Sequence, residues 1–130
     1  MTSSIPTAAV LLIGDEILSG RTKDANLGYI ADYLTVLGID LKEARVVSDE
    51  KADIVAALNA LRERYTYVFT TGGIGPTHDD ITADCVAAAF DVGIDHHPDA
   101  VKILREHWAD RGIEENEARL RMARIPDTAE

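Results

Sequence analysis

With one cysteine among 130 residues, the chain cannot close an internal disulfide, and its stability has to come from packing. That cysteine, Cys85, lies in an apolar stretch, which fits a small buried thiol in a reducing cytoplasm. Cations are scarce too. Thirteen Lys and Arg stand against 23 Asp and Glu, a formal charge of −10, and no Lys/Arg cluster offers a compensating patch. A field of that sign repels polyanions, so nucleic acid and anionic membranes are excluded as partners. No apolar run approaches the ~20 residues that a membrane helix needs. The opening residues 1–6 lack the basic and apolar segments of a signal peptide, so a cytoplasmic location is expected.

What is present is an alternation of short apolar runs and helical patterns. Hydrophobic residues make up 46% of the chain, enough for one packed core, and neither a repeat nor a Pro/Gly/Ser linker divides it. One domain spanning residues 1–130 is expected. Residues 8–13 (AAVLLI), stopped by Gly14, have the continuous apolar character of a strand buried on both faces of a parallel sheet. Leu27, Ile30, Ala31, Leu34 and Leu37 then recur at helical spacing, with Asp24 as N-cap and Gly38 as stop. Residues 39–47 read as a second strand. Ser48 and Asp49 follow as the cap of a helix whose apolar face is Ile54, Val55, Leu58 and Leu61.

Residues 67–71 (YVFTT) make a third strand that runs into Gly72 and Gly73, and the alanine-rich residues 82–90 make a helix. Pro98 opens a further helix ending near Gly112, His96 and His97 form its cap region, and residues 114–123 give a last helix. The fold class is therefore α/β, with a mostly parallel sheet carrying helices on its faces. Ile125 and Pro126 break the pattern, and no terminal strand closes the sheet. The domain is expected to be cut short there, and to self-associate by burying the apolar surface left open.

Ligands of such sheets bind outside the carboxyl ends of the strands, where three polar loops fall. These are Gly14-Asp15-Glu16, Val47-Ser48-Asp49, and the run from Thr70 and Thr71 through Gly72, Gly73, Gly75, Thr77 and His78 to Asp79 and Asp80. Asp15, Asp49 and Asp80 are expected on one rim. Three glycines between a strand and a helix let backbone N–H groups face an anion, which suits phosphate, or they serve the tight turn alone. Asp79 and Asp80 beside a phosphate would repel it unless a cation such as Mg²⁺ intervenes; otherwise they complement the dipole of the following helix. Asp15 and Glu16 admit a plain solvated reading, and Asp49 that of a cap.

Together, Gly14-Asp15-Glu16-Ile17-Leu18-Ser19-Gly20, Asp24, Asn26, Val47-Ser48-Asp49-Glu50 and the run from Thr71 to Thr82 resemble the MoaB/Mog molybdopterin-binding domain family. The nearest branch is that of CinA (competence/damage-inducible) proteins and the N-terminal domain of eukaryotic FAD synthases. The resemblance implies a three-layer αβα fold, frequent trimers, and molybdopterin or a nucleotide at the glycine loop. It matches the catalytic aspartates of the molybdopterin adenylyltransferases to Asp49 and Asp80. On the reading of the residues themselves, ligand and phosphate contacts are expected from Gly14, Asp15, Glu16, Thr71, Gly72, Gly73, Gly75 and Thr77, a metal at Asp79 and Asp80, and water or a second metal positioned by Asp49 or Asp15. Molybdopterin adenylyltransferases usually carry arginine where this chain has Asp79. A carboxylate there disfavours AMP transfer and favours metal-dependent cleavage of a pyrophosphate in an adenine dinucleotide such as ADP-ribose or FAD. A non-catalytic molybdopterin-binding module is the alternative. The family also places a glycine- and proline-rich segment beyond the last helices, and it is missing from this sequence.

Overall fold

In the computed structural model, which describes residues 5–78 and 80–130, the first apolar run becomes strand β1 (Thr7–Ile13). Its residues Ala8 to Ile13 are at most 1% exposed, as the unbroken apolar pattern requires. β1 pairs in parallel with β2 (Asp40–Val47) on one side and β3 (Tyr67–Thr71) on the other, giving the order β2-β1-β3. Ile13 lies opposite Val47, and Leu12 opposite Thr71, so all three strands end on the same rim.

Helix α2 (Asn26–Leu37) carries the chain from β1 to β2, and α3 (Lys51–Arg64) carries it from β2 past β1 to β3. These crossovers step across the sheet in opposite directions. With the right-handed sense that parallel crossovers take, they place the helices on opposite faces, and β1 is sandwiched between them. α3 buries Ile54, Ala57, Leu58 and Leu61. The expected face is thus present, with Val55 only half-buried and Ala57 in its place. The carboxylate of Asp24 accepts from the N–H groups of Asn26 (3.1 Å) and Leu27 (2.9 Å), and Gly38 closes α2 in the left-handed conformation.

The described residues form two compact units that divide between Gly72 and Gly73, and the sheet belongs to the first. In the second, α4 (Thr82–Ala89) buries Thr82, Cys85, Ala87 and Ala89. Strand β4 (Ile94–His96) pairs antiparallel with β5 (Arg124–Pro126), and α5 (Pro98–Arg111) buries Trp108 and stops at Gly112. His97 Nδ1 caps α5 by accepting from the Asp99 N–H at 3.2 Å, the cap role expected of this histidine pair.

Two expectations are corrected here. The helix anticipated over residues 114–123 shrinks to α6 (Glu117–Leu120) and a 3₁₀ turn at Arg121–Ala123, because Asn116 caps it late by accepting the Arg119 N–H at 2.8 Å. The segment of Ile125 and Pro126, anticipated as a break, is strand β5; proline is tolerated at the end of so short a strand. Among the described residues, no helix is long and apolar enough to cross a membrane.

Candidate functional site

On the rim of the first unit, Gly14 donates its N–H to Val47 O (3.0 Å), and the chain turns into the short helix α1 (Asp15–Leu18). The loops after β1 and β2 are then tied reciprocally. The Asp15 N–H donates to Asp49 Oδ2 (3.1 Å), and the Asp49 N–H donates to Asp15 Oδ1 (3.2 Å). Asp49 is therefore not the cap of α3, as the sequence suggested: Glu50 holds that position without a side-chain bond, while Ser48 Oγ donates to Asp53 Oδ2 at 3.1 Å. A carboxylate takes whichever N–H the backbone presents, and here the neighbouring loop presents one from 34 residues away. Glu16 folds back over Gly14, where an added Cβ would lie 2.5 Å from its Oε1.

Thr71 ends β3, and Gly72 follows with φ 91°, where an added Cβ would stand 2.1 Å from Ile13 O. Only glycine permits that approach of two backbones. Gly14, Asp15, Glu16, Asp49, Thr71 and Gly72 thus share the carboxyl-end rim of the first unit. Asp80, expected beside them, belongs to the second unit.

Within that second unit, Gly73 has φ 68°, and an added Cβ would meet Thr82 Oγ1 at 2.2 Å; its carbonyl accepts the Thr82 N–H at 3.0 Å. The next part of the turn closes on a side chain. Asp80 Oδ2 accepts from the Thr77 N–H (3.0 Å) and the Thr77 hydroxyl (2.7 Å), and the Gly75 N–H also bonds to this carboxylate. Partial burial pushes the Asp80 carboxyl upward, but these three donors and the nearby Arg121 guanidinium outweigh it and hold its pKa below the ordinary value. An added Cβ at Gly75 would lie 2.6 Å from Oδ2. Gly72 and Gly73, both left-handed, are therefore demanded by this chain's own atoms, and a side chain at Gly75 would displace the Asp80 carboxylate, whatever else the turn holds. Asp79 lies outside the described residues, and among these no group of three or more His, Cys, Asp or Glu side chains is arranged to hold a metal ion.

Sequence reasoning missed the arginines. Arg119, Arg121 and Arg124 line one open groove of about 900 Å³ together with Thr77, His78 and Asn116, so the expectation of no cationic cluster is overturned for this unit. Arg124 forms a bidentate pair with Asp84 (Nη2 to Oδ1 2.7 Å, Nη1 to Oδ2 3.2 Å). Arg121 Nη2 reaches the main-chain oxygen of Asp80 at 3.4 Å and Asp84 Oδ2 at 3.9 Å. The usable signal was the spacing Arg-x-Arg-x-x-Arg. Read on one continuous helix, it puts Arg121 and Arg124 on one face and Arg119 on the opposite one. The change from α6 to a 3₁₀ turn and then to β5 brings them together.

Residues 9–123 match the family model described as a probable molybdopterin binding domain. The chain belongs to this family. Among relatives of this molybdopterin-binding-type domain, a CinA-like protein of Myxococcus xanthus is 35% identical over 93% of this chain and 29% of that protein. A probable FAD synthase of Caenorhabditis briggsae is 45% identical over 65% of this chain and 16% of its own length. A solved structure of CinA from Thermoplasma acidophilum, described as of unknown function, superposes with TM-score 0.86 at 31% identity. It covers 97% of this chain and 73% of that one. The MoaB/Mog-like αβα fold expected from the motifs is the fold observed. The chain spans less than half the length of the curated relatives it matches.

Proposed function

We propose that this domain binds a phosphate-bearing ligand containing a pterin or an adenine, and that it hydrolyses the pyrophosphate of an adenine dinucleotide such as ADP-ribose or FAD. The observation that carries this reading is Asp80, whose carboxylate is held ionised and oriented by the Thr77 N–H, the Thr77 hydroxyl and the Gly75 N–H. An ionised carboxylate is what Mg²⁺ takes as a ligand, so the group fits a metal role shared with Asp79. Bound there, a divalent cation would neutralise charge between carboxylates and pyrophosphate. The catalytic assignments to Asp49 and Asp80 are kept. In the reaction, water adds to one phosphorus as the P–O–P bond breaks, giving AMP and ribose 5-phosphate from ADP-ribose with the protons released to solvent, and the role kept for Asp49 or Asp15 is to position the water or a second metal.

Incubation with ADP-ribose, FAD and ATP, with and without Mg²⁺, tests the proposal. Turnover of a dinucleotide in Mg²⁺ is expected. Tight binding without turnover favours the alternative, a non-catalytic molybdopterin-binding module; in a parallel incubation with molybdopterin added, AMP transfer from ATP with release of pyrophosphate would make the domain an adenylyltransferase. The metal role has its own signature. Asp80→Asn should weaken ADP-ribose binding in Mg²⁺ by about 1–3 kcal/mol, the scale of a lost charge-assisted contact, yet leave it unchanged or tighter in EDTA. A mutant that matches wild type in Mg²⁺ removes the metal from this account.

A further inference from the structure

The turn that looked made for phosphate spends donors on itself: the Gly75 N–H, the Thr77 N–H and the Thr77 hydroxyl all go to the Asp80 carboxylate. An anion arriving beside that turn therefore has to be met by something else. The groove it borders supplies guanidinium groups, in a chain where carboxylates outnumber cations 23 to 13.

The three arginines are not equally committed. Arg124 is fixed by Asp84 through two parallel bonds. Arg119 Nη1 donates to the carbonyl of Glu114, an uncharged acceptor. Arg121 is placed differently. Its contact with Asp84 is 3.9 Å long, its one hydrogen bond among the described residues goes to a main-chain oxygen at 3.4 Å, and its Nε is buried with no hydrogen-bond partner among them. A buried, charged N–H without an acceptor is costly, and native structures keep few of them. Among the described residues Glu117 is the carboxylate lining the groove, and the rest of that lining includes Thr77 and Asn116, both able to donate to an oxyanion.

We propose that this groove is an anion subsite for a phosphate or pyrophosphate group, with Arg121 as its central donor and Arg119 as its flanking one. Planar guanidinium groups suit this chemistry because they offer parallel N–H donors to two oxygens of one phosphate. The inference rests on the reading that the ligand of this domain carries phosphate, and it names the residues that hold the charge. Arg124 takes both oxygens of Asp84, which leaves Arg121 with only a long contact to Asp84 and a 3.4 Å bond to the Asp80 main-chain oxygen to exchange for the ligand.

Inorganic pyrophosphate without divalent metal is the probe, followed by calorimetry and by the arginine Nε–H signals in ¹H–¹⁵N spectra. The Arg121 Nε–H resonance is expected to move on titration, and Arg119→Gln and Arg121→Gln are each expected to weaken binding about tenfold. If Arg121→Gln does not fold, the wild-type Nε–H signal and Arg119→Gln still decide. Pyrophosphate that binds without moving the Arg121 signal, or with full affinity for folded Arg119→Gln, overturns the subsite, as does the absence of binding. Parallel titration with ADP-ribose separates a free anion from a nucleotide pyrophosphate as the occupant. Pyrophosphate bound at the arginines without any dinucleotide turnover would sink the hydrolase reading alone, whereas turnover with silent arginines would sink the subsite alone.

Discussion

Thr77 and Asp80 carry the most informative contact in the second unit, because it sets a protonation state as well as a shape. A carboxyl whose folded pKa lies below its ordinary value near 3.8 adds stability that is present above that value, and the stability is lost as pH falls through the folded pKa. The turn should therefore stay tied to Asp80 through mildly acidic pH and release only below the ordinary carboxylate range. Thr77→Val removes the 2.7 Å hydroxyl bond and leaves the backbone donor. Its Asp80 carboxyl should titrate at higher pH than wild type, and the domain should lose about 1 kcal/mol, the worth of one such bond. A ¹³C titration of the Asp80 carboxyl reads this directly; identical curves for the two proteins would mean that the hydroxyl does not hold the charge.

Among the elements, the ends of β1 and β3 are where sequence and structure meet most tightly. Gly72 combines φ 91° with a Cβ position 2.1 Å from a backbone oxygen, and backbone cannot swing aside as a side-chain tip can. Gly72→Ala should therefore cost at least about 2 kcal/mol in urea unfolding, combining left-handed strain with displacement of the strand ends. Gly14→Ala is the control, since the atoms nearest its added Cβ are those of the movable Glu16 carboxylate, and it should cost under about 1 kcal/mol. Equal losses in the two variants would refute the distinction. The same elements show what a sequence can disclose. β1, α3 and β3 were legible because burial on one or both faces imposes a pattern on consecutive residues. α6 and β5 were not, because four- and three-residue elements are shorter than the periods that would reveal them. The candidate site divides in the same way. Motif residues such as Asp15, Asp49 and Asp80 could be named in advance, whereas the Asp15–Asp49 tie and the arginine groove depend on which backbone N–H or turn a side chain meets.

For the whole molecule, the dominant fact is a formal charge of −10 on 130 residues. Like charges crowd together when the chain folds, so self-repulsion lowers stability in proportion to how poorly the solvent screens it. At low ionic strength the repulsion reaches across much of a small domain, whereas at 0.15 M the screening length is only about 8 Å. Raising NaCl from about 10 mM to about 150 mM should therefore increase the melting temperature by roughly 2–5 °C, on the scale of 1 kcal/mol for a chain of this size. Screening also weakens the Arg124–Asp84 pair, but that pair is half-buried and bidentate and loses less than the exposed majority of charges gains. Scanning calorimetry over a chloride series decides the matter. A melting temperature that falls with salt would show that ion pairs such as Arg124–Asp84, rather than the net charge, control the stability of the domain.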